Sequence, residues 1–241
     1  MLDIQGLTKY FGGLAAVKGL TFSVREGEIV GLIGPNGSGK TTAFNMITGL
    51  LAPDAGHIWL DGEEITASRP HVICSKGIAR TFQLVKPFAH LSALRNVMVG
   101  RIYGRQPVRG LAVAASQARE ILAFVGLAGK EEIEARRLTL VDRKRLELAR
   151  ALATRPRLLL VDEFMAGLNP PEVQTAMALI RRIRETGPAV VMIEHIVTAV
   201  MGLSDRVIVL SAGQAIAEGP PEAVARDPRV IDAYLGGVGV A

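Results

Sequence analysis

The sequence has one cysteine, few aromatic residues and no long uninterrupted apolar segment. Cys74 stands alone among 241 residues, which excludes an internal disulfide and favours the cytosol; its apolar neighbours predict a place in the core. Aromatic residues make up 5% of the chain, so no base-stacking platform for single-stranded nucleic acid is evident. Charged residues interrupt every apolar run before the roughly 20 residues that a membrane-spanning helix needs. These absences argue against a disulfide scaffold, a single-strand-binding protein and an integral membrane protein.

The remaining composition is that of a globular protein. Hydrophobic residues make up 49% and charged residues 21%, and 241 residues suffice for one large domain or a core with one subdomain. The net charge of +5 comes from basic residues interleaved with acidic ones, which indicates a solvated surface and no nucleic-acid partner. Residues 1–6 lack a basic start and a long apolar segment, so no signal peptide is expected. Only residues 236–241 have the composition of a disordered tail.

Residues 34–41 match the phosphate-binding pattern GxxxxGK[ST] and follow an apolar strand predicted over residues 28–33. Glycines at three positions allow positive φ and close approach of the backbone to phosphate, so that successive amides point inward. Lys40 supplies a cation, Thr41 a hydroxyl for Mg²⁺, and the helix that follows directs its positive end at the phosphates. The alternative is a glycine-rich turn that binds nothing, but the order strand, loop, lysine, hydroxyl and helix favours a nucleotide site.

The order of elements predicts an α/β fold, a phosphate-loop NTPase core with a mainly parallel sheet and an antiparallel flank. Alternating segments give the flank, and continuous apolar runs give buried parallel strands. Between them, residues 91–152 are mainly helical, with breaks at 104–110 and 126–129. We therefore predict one domain over 1–241, with a core of 1–90 and 153–241 and a helical subdomain over 91–152. Other predicted elements are strands at 2–7, 19–24, 57–62, 157–161, 189–193 and 206–210, a helix at 170–186, a hairpin at 211–219 and two short helices after 221.

Carboxylates follow the apolar strand at 157–161. Asp162 stands where phosphate-loop hydrolases hold Mg²⁺, and Glu163 has no packing reason to lie there but is suited to deprotonate an attacking water. The alternative for Glu163 is a solvent-facing strand end. His195 ends another strand and either donates a hydrogen bond to the γ-phosphate or has a structural role. Gln83, whose side chain carries an amide, follows a further strand.

In combination these motifs resemble those of the ATPase subunits of ABC transporters over almost the whole chain. Residues 34–41 resemble Walker A and 158–162 Walker B, while Gln83, Glu163 and His195 match the Q-loop, the catalytic glutamate and the switch histidine. Within that superfamily, four further segments resemble the ATPases of branched-chain and other hydrophobic amino-acid importers. These segments are 95–100, 166–170, 193–195 and 232–236.

The resemblance implies an ATPase that uses ATP and Mg²⁺. It implies that Glu163, His195, Gln83 and Lys40 are catalytic and that Thr41, Gln83 and Asp162 hold the metal. An aromatic ring is expected to stack on adenine, Phe11 or alternatively Tyr10, unless these rings pack on the sheet. The implied nucleotide-binding set is Phe11, Gly34, Pro35, Asn36, Gly37, Ser38, Gly39, Lys40, Thr41 and Thr42.

Residues 138–142 depart from the family signature LSGGQ, which binds the γ-phosphate held by a partner subunit. Leu140 and Val141 replace both glycines and add β-carbons where backbone should approach phosphate. Asp142 replaces a neutral amide; it either repels the phosphate, with residues 143–145 offsetting its charge, or caps a helix over 143–153. Two smaller departures are Asn169, shared with the importer branch, and Arg95, where that branch commonly has glutamate.

The resemblance therefore implies a peripheral subunit at the cytoplasmic face of the inner membrane that energises an importer of branched-chain or related amino acids. Its expected partners are integral-membrane permease subunits, a second ATPase subunit and, indirectly, an extracytoplasmic substrate-binding protein. The altered signature favours a different chain as the second ATPase over a second copy. Two alternatives stay open: a soluble ABC ATPase outside transport, and a nucleotide-sensing subunit with weak hydrolysis.

Overall fold

The computed structural model describes residues 1–83 and 86–235, and within them ten strands form two sheets. In the first sheet the order is β2-β1-β4-β5, and in the second it is β10-β9-β3-β8-β7-β6. The strands are β1 (Leu2–Phe11), β2 (Leu14–Val24), β3 (Ile29–Ile33), β4 (Ala55–Leu60), β5 (Glu63–Glu64), β6 (Ile78–Arg80), β7 (Leu158–Asp162), β8 (Ala189–Ile193), β9 (Arg206–Ser211) and β10 (Gln214–Gly219).

Helices separate the strands along the chain, with a short 3-10 turn at Ala135–Arg137. The helices are α1 (Lys40–Ile47), α2 (Pro70–Lys76), α3 (Ala93–Tyr103), α4 (Leu111–Phe124), α5 (Leu140–Ala153), α6 (Pro170–Glu185), α7 (Val197–Leu203), α8 (Pro221–Val224) and α9 (Pro228–Leu235).

The second sheet is parallel except at one edge, where β10 pairs antiparallel to β9. Its central strands are continuous apolar runs because both faces are covered. In β7, Leu158 and Leu160 join the core on one side of the sheet, whereas Leu159 and Val161 join the core on the other. The carboxyl ends of β3, β7 and β8 meet at one edge, the usual location of ligand sites in open parallel sheets.

The first sheet is antiparallel throughout. Its β4–β5 connection is the predicted Asp-Gly turn, since Asp61 and Gly62 both have positive φ (54° and 78°). Buried residues of α1, among them Phe44, share one core with strands of both sheets, so this helix is held between the sheets. The predicted fold class, a mainly parallel α/β core with an antiparallel flank and a helical region, is confirmed.

Several local predictions differ from the structure. The strands β1 and β2 are longer than predicted, β4 begins and ends two residues earlier than predicted, and α2 and α7 were missed. Pro70 at the first turn and Gly77 in the left-handed region are the end signals of α2. Cys74, expected in the core, is only half-buried on α2. The predicted tail, residues 236–241, lies outside the described residues, and so does the final residue of segment 232–236.

Residues of α3, α4 and α5 belong to the same buried cluster as residues of β7 and β8. The division into a core and a helical subdomain over 91–152 thus stays a prediction. Among residues 1–83 and 86–235, no helix has both the length and the apolar composition that crossing a bilayer requires.

Candidate functional site

The phosphate loop runs from the end of β3 to the start of α1 and is packed against both sheets. Gly34 and Gly39 have φ values of 149° and 101°. A β-carbon would lie 2.0 Å from the carbonyl oxygen of Leu210 at Gly34 and 2.3 Å from that of Ala16 at Gly39. Side chains are excluded at both positions by conformation and by contact, so glycine is required there.

Lys40 is buried beneath the loop. Its Nζ donates hydrogen bonds to the carbonyl oxygens of Gly34 and Pro35, at 2.8 and 2.9 Å. Burial lowers the pKa of Lys40, although the negative charges of Glu163 and Asp162 oppose this shift. A cation is therefore held among loop carbonyls and beside two carboxylates, where a phosphate can replace the carbonyls as its partner.

A cleft of about 270 Å³ lies over this loop. Of the nucleotide-binding residues predicted from the sequence, seven consecutive ones line it, together with one residue of β2 and three residues that follow other strands. The lining residues are Ala16, Asn36, Gly37, Ser38, Gly39, Lys40, Thr41, Thr42, Gln83, Glu163 and His195.

Asp162 ends β7 and is 2% exposed. Its Oδ2 accepts a hydrogen bond from Arg80 Nη2 at 2.7 Å, while Oδ1 has no hydrogen-bond partner within the described part of the chain. Burial raises the pKa of Asp162, and the adjacent Arg80 lowers it in part. A buried carboxylate oxygen without a partner suits a water molecule of a hydrated divalent cation.

The carboxylate of Glu163 forms hydrogen bonds with two side chains. Gln83 Nε2 donates to its Oε2 at 2.6 Å, and His195 Nε2 lies 2.9 Å from its Oε1. Its backbone has φ of 47°, a conformation that costs a non-glycine residue free energy and that is concentrated at functional sites. The three residues predicted from separate motifs are therefore brought together, and Glu163 is not a carboxylate that merely faces solvent.

The comparisons with known proteins agree with this geometry. Residues 17–166 match the family "ABC transporter", and residues 216–240 match "Branched-chain amino acid ATP-binding cassette transporter". The chain belongs to the ABC transporter ATPase family.

Two curated relatives of this cassette illustrate its branch of the family. The high-affinity branched-chain amino acid transport ATP-binding protein BraF of Pseudomonas aeruginosa is 41% identical, with 98% of each chain covered. The corresponding protein LivG of Escherichia coli strain K12 is 36% identical at the same coverage. Both names favour transport over the soluble alternative.

Solved structures of cassettes have the same fold. A nucleotide-free ATP-binding cassette of an ABC transporter gives a TM-score of 0.88 at 30% identity, over 100% of this chain and 99% of that one. A cassette in its ADP conformation gives 0.88 at 31% identity, over 98% of each chain. A dimeric cassette gives 0.83 at 26% identity, over 92% of this chain and 99% of that one. Membership of this family makes the cassette an ATPase that binds adenine nucleotides.

The signature segment of this cassette forms the start of α5 and corrects the prediction for Asp142. The cap is Thr139, whose Oγ1 accepts a hydrogen bond from the Asp142 N–H at 3.2 Å, and the helix begins at Leu140, not at residue 143. The Asp142 side chain is buried and forms an ion pair with Lys130 at 2.6 Å. The expected offset of its charge by residues 143–145 is therefore wrong. Since the carboxylate is turned into the protein, the exposed departure from the signature is the side chain of Leu140.

Asn169, the second departure, caps α6. Its Oδ1 accepts from the Glu172 N–H at 3.0 Å, and Glu172 Oε2 accepts from the Asn169 N–H at 2.9 Å. This reciprocal pair satisfies two amide groups at the helix start, so Asn169 has a structural role.

The two candidate adenine-stacking rings lie near the end of β1. Tyr10 is 47% and Phe11 53% exposed, and neither lines the cleft of about 270 Å³. Neither ring is buried by sheet packing, so stacking stays a prediction for both.

Four charged residues with buried side chains hold the site, and none of their contacts was predicted from the sequence. Arg80 contacts Asp162, Lys144 contacts the turn after β7, Glu147 accepts from the Phe82 N–H at 3.0 Å, and Glu194 accepts from the Met165 N–H at 2.9 Å. The available signal was a charge inside an apolar element, as for Arg80 at the end of β6 and Glu194 directly after β8.

Proposed function

We propose that this chain is the ATP-hydrolysing subunit of an importer for branched-chain or related amino acids. The observation that carries the proposal is that Gln83 and His195 form hydrogen bonds with the two carboxylate oxygens of Glu163 in the cleft over the phosphate loop. The names of the relatives supply the substrate class.

Glu163 is the general base for the attacking water, and a positioned base contributes about 10²–10⁴-fold to such a reaction. His195 contacts the γ-phosphate and Gln83 orients the water. Lys40 and the loop amides stabilise the charge that develops on the phosphates. All of residues 34–42 contact the nucleotide, and Phe11 stacks on its adenine.

Mg²⁺ is the accompanying metal, held by Thr41, Gln83 and Asp162. The buried Asp162 Oδ1 and the exposed hydroxyl-bearing Thr41 at the start of α1 fit this ion. When bound, the ion would neutralise part of the negative charge of the phosphates.

The chain works with integral-membrane permease subunits at the cytoplasmic face of the inner membrane, and indirectly with an extracytoplasmic substrate-binding protein. Its second ATPase subunit is a different chain. The exposed Leu140 supports this, because its side chain stands where the family signature brings bare backbone to the partner's phosphate. A second copy of this chain is the competing outcome.

The test uses the tagged full chain purified together with the subunits that accompany it. Glu163→Gln is expected to lower kcat about hundredfold or more while ATP binding is kept, because the amide cannot take a proton. The matched control is Glu185→Gln, an exposed carboxylate on α6, which should behave as wild type.

Subunit identification by mass spectrometry and uptake of labelled leucine into vesicles complete the test. In this proposal the ATP site that uses residues 138–142 of this chain is the weaker hydrolase, because Leu140 and Val141 replace the signature glycines. Near-normal turnover of the Glu163→Gln complex would therefore contradict both the assigned base and the unequal roles of the two ATP sites. Ribosomes or a purely soluble complex among the accompanying subunits would contradict transport.

A further inference from the structure

Lys144 lies on the second turn of α5, the helix that begins with the signature segment. Its side chain is 7% exposed, an unusual place for a lysine that has no carboxylate within ion-pairing distance in the described residues. Burial lowers its pKa, which the charges of Glu194, Glu147 and Glu163 counteract. An isolated buried ammonium is costly, so this one must be held by polar groups.

Those groups are three backbone carbonyl oxygens of one turn. Lys144 Nζ donates to Phe164 O at 2.8 Å and to Ala166 O at 2.7 Å, and more weakly to Glu163 O at 3.3 Å. An ammonium has three donors, and all three are directed at the turn that follows β7.

The opposite side of this turn is held by β8 and the residue after it. Glu194 Oε1 accepts a hydrogen bond from the Met165 N–H at 2.9 Å, and the Glu163 N–H donates to Ile193 O at 2.9 Å. The strained backbone of Glu163, with φ of 47°, is therefore fixed between α5 and the end of β8.

We infer that Lys144 is a positioning residue, which sets the backbone of Glu163 from α5 and thereby couples the partner-facing signature segment to this chain's own catalytic glutamate. The inference rests on the proposed function, in which residues 138–142 face the nucleotide of the second ATPase subunit. A shift of the start of α5 is passed by a buried side chain to the turn at 163–166, without passing through the nucleotide of this chain. ATP binding on Lys40 and the phosphate loop does not depend on this contact.

The test compares Lys144→Met, which keeps length and removes all donors, with Lys144→Arg and with Arg145→Met. Arg145 is the matched control, since it is the next cation of α5 and its one side-chain hydrogen bond among the described residues is to Gly126 O, at 3.4 Å. In the purified complex, Lys144→Met should lower kcat about tenfold to a hundredfold with KM for ATP within about twofold, because a misplaced base slows chemistry and not binding. Lys144→Arg should recover most of the loss, and Arg145→Met should match wild type.

Hydrogen–deuterium exchange supplies a readout that a general loss of stability would not give. Lys144→Met should speed exchange in peptides covering 163–166 and leave those covering 34–42 unchanged. If Lys144→Met does not fold, Lys144→Leu, which also removes all donors, replaces it with the same expectations. Equal kcat for Lys144→Met and Arg145→Met, or a uniform rise in exchange, would overturn the inference. A wild-type complex without ATPase activity would instead overturn the proposed function.

Discussion

Glu147 is a buried carboxyl whose ionisation should set the pH dependence of stability. It is 6% exposed on α5, and its Oε1 accepts a hydrogen bond from the Phe82 N–H at 3.0 Å. Burial raises its pKa to about 7, although this hydrogen bond and the cations Arg150 and Lys144 pull it down. Replacement by glutamine keeps an oxygen acceptor for Phe82 and removes the ionisation.

The sign and size of the effect follow from linkage. The folded protein binds the proton more tightly than the unfolded chain, in which the ordinary pKa of 4.5 applies. The free energy of unfolding is therefore undiminished below pH 4.5, falls as the pH rises, and has lost the full amount above pH 7. That amount is about 3 kcal/mol for the difference between the two pKa values.

Urea unfolding at pH 5 and pH 8.5 measures this loss of unfolding free energy. Over this interval wild type should lose about 2.5 kcal/mol more than Glu147→Gln, because a small part of the loss has already occurred at pH 5 and every other titrating group is common to both proteins. The control is Glu120→Gln, an exposed carboxyl on α4, which should follow wild type. Equal pH dependence in wild type and Glu147→Gln would refute the argument.

The phosphate loop and the metal carboxylate give two further predictions. Gly34→Ala should destabilise the protein by about 3 kcal/mol and abolish nucleotide binding, because its β-carbon meets the Leu210 carbonyl, whereas Gly37→Ala, with open space around it, should cost about 1 kcal/mol. Thermal unfolding with and without ATP measures both, and equal losses would contradict the packing argument. Arg80→Met should destabilise the protein by about 3–5 kcal/mol, because it leaves the buried Asp162 carboxylate without its ion pair. It should also raise the pKa of Asp162 further, so that the loss of turnover on the acid side of the pH profile begins at higher pH. Urea unfolding and a pH–rate profile test this, with the exposed Arg69→Met as the control; unfolding like wild type would count against it.

The fold was largely predictable because its central elements carry strong local patterns. A continuous apolar run as short as residues 158–161 favours a strand buried on both faces, and the two prolines at the start of α6 with Gly187 after its end mark that helix. The short helices α2 and α7 were missed because seven residues offer too few turns for a helical period to show.

The predicted site residues were found by motif, and the residues that hold them were not. Gln83 and Glu163 are 80 positions apart and Arg80 and Asp162 are 82 apart, so only folding brings each pair together. Motif knowledge compensates for that distance where a family pattern exists. No such pattern pointed to Lys144, whose partners are backbone carbonyls and thus have no sequence identity.

The charge of Asp142 in the signature segment has a different role in the structure from the one that the sequence indicated. From the sequence, Asp142 was a candidate for repulsion of a partner's phosphate. In the structure this carboxylate forms an ion pair with Lys130, twelve positions earlier. Because the Asp142 side chain is buried, it is absent from the surface that a partner would meet. The case for a different second ATPase therefore rests on the shape of Leu140 and Val141 and not on charge. Steric exclusion is insensitive to salt, whereas repulsion is screened, so ionic strength should not restore hydrolysis at a site that uses this segment.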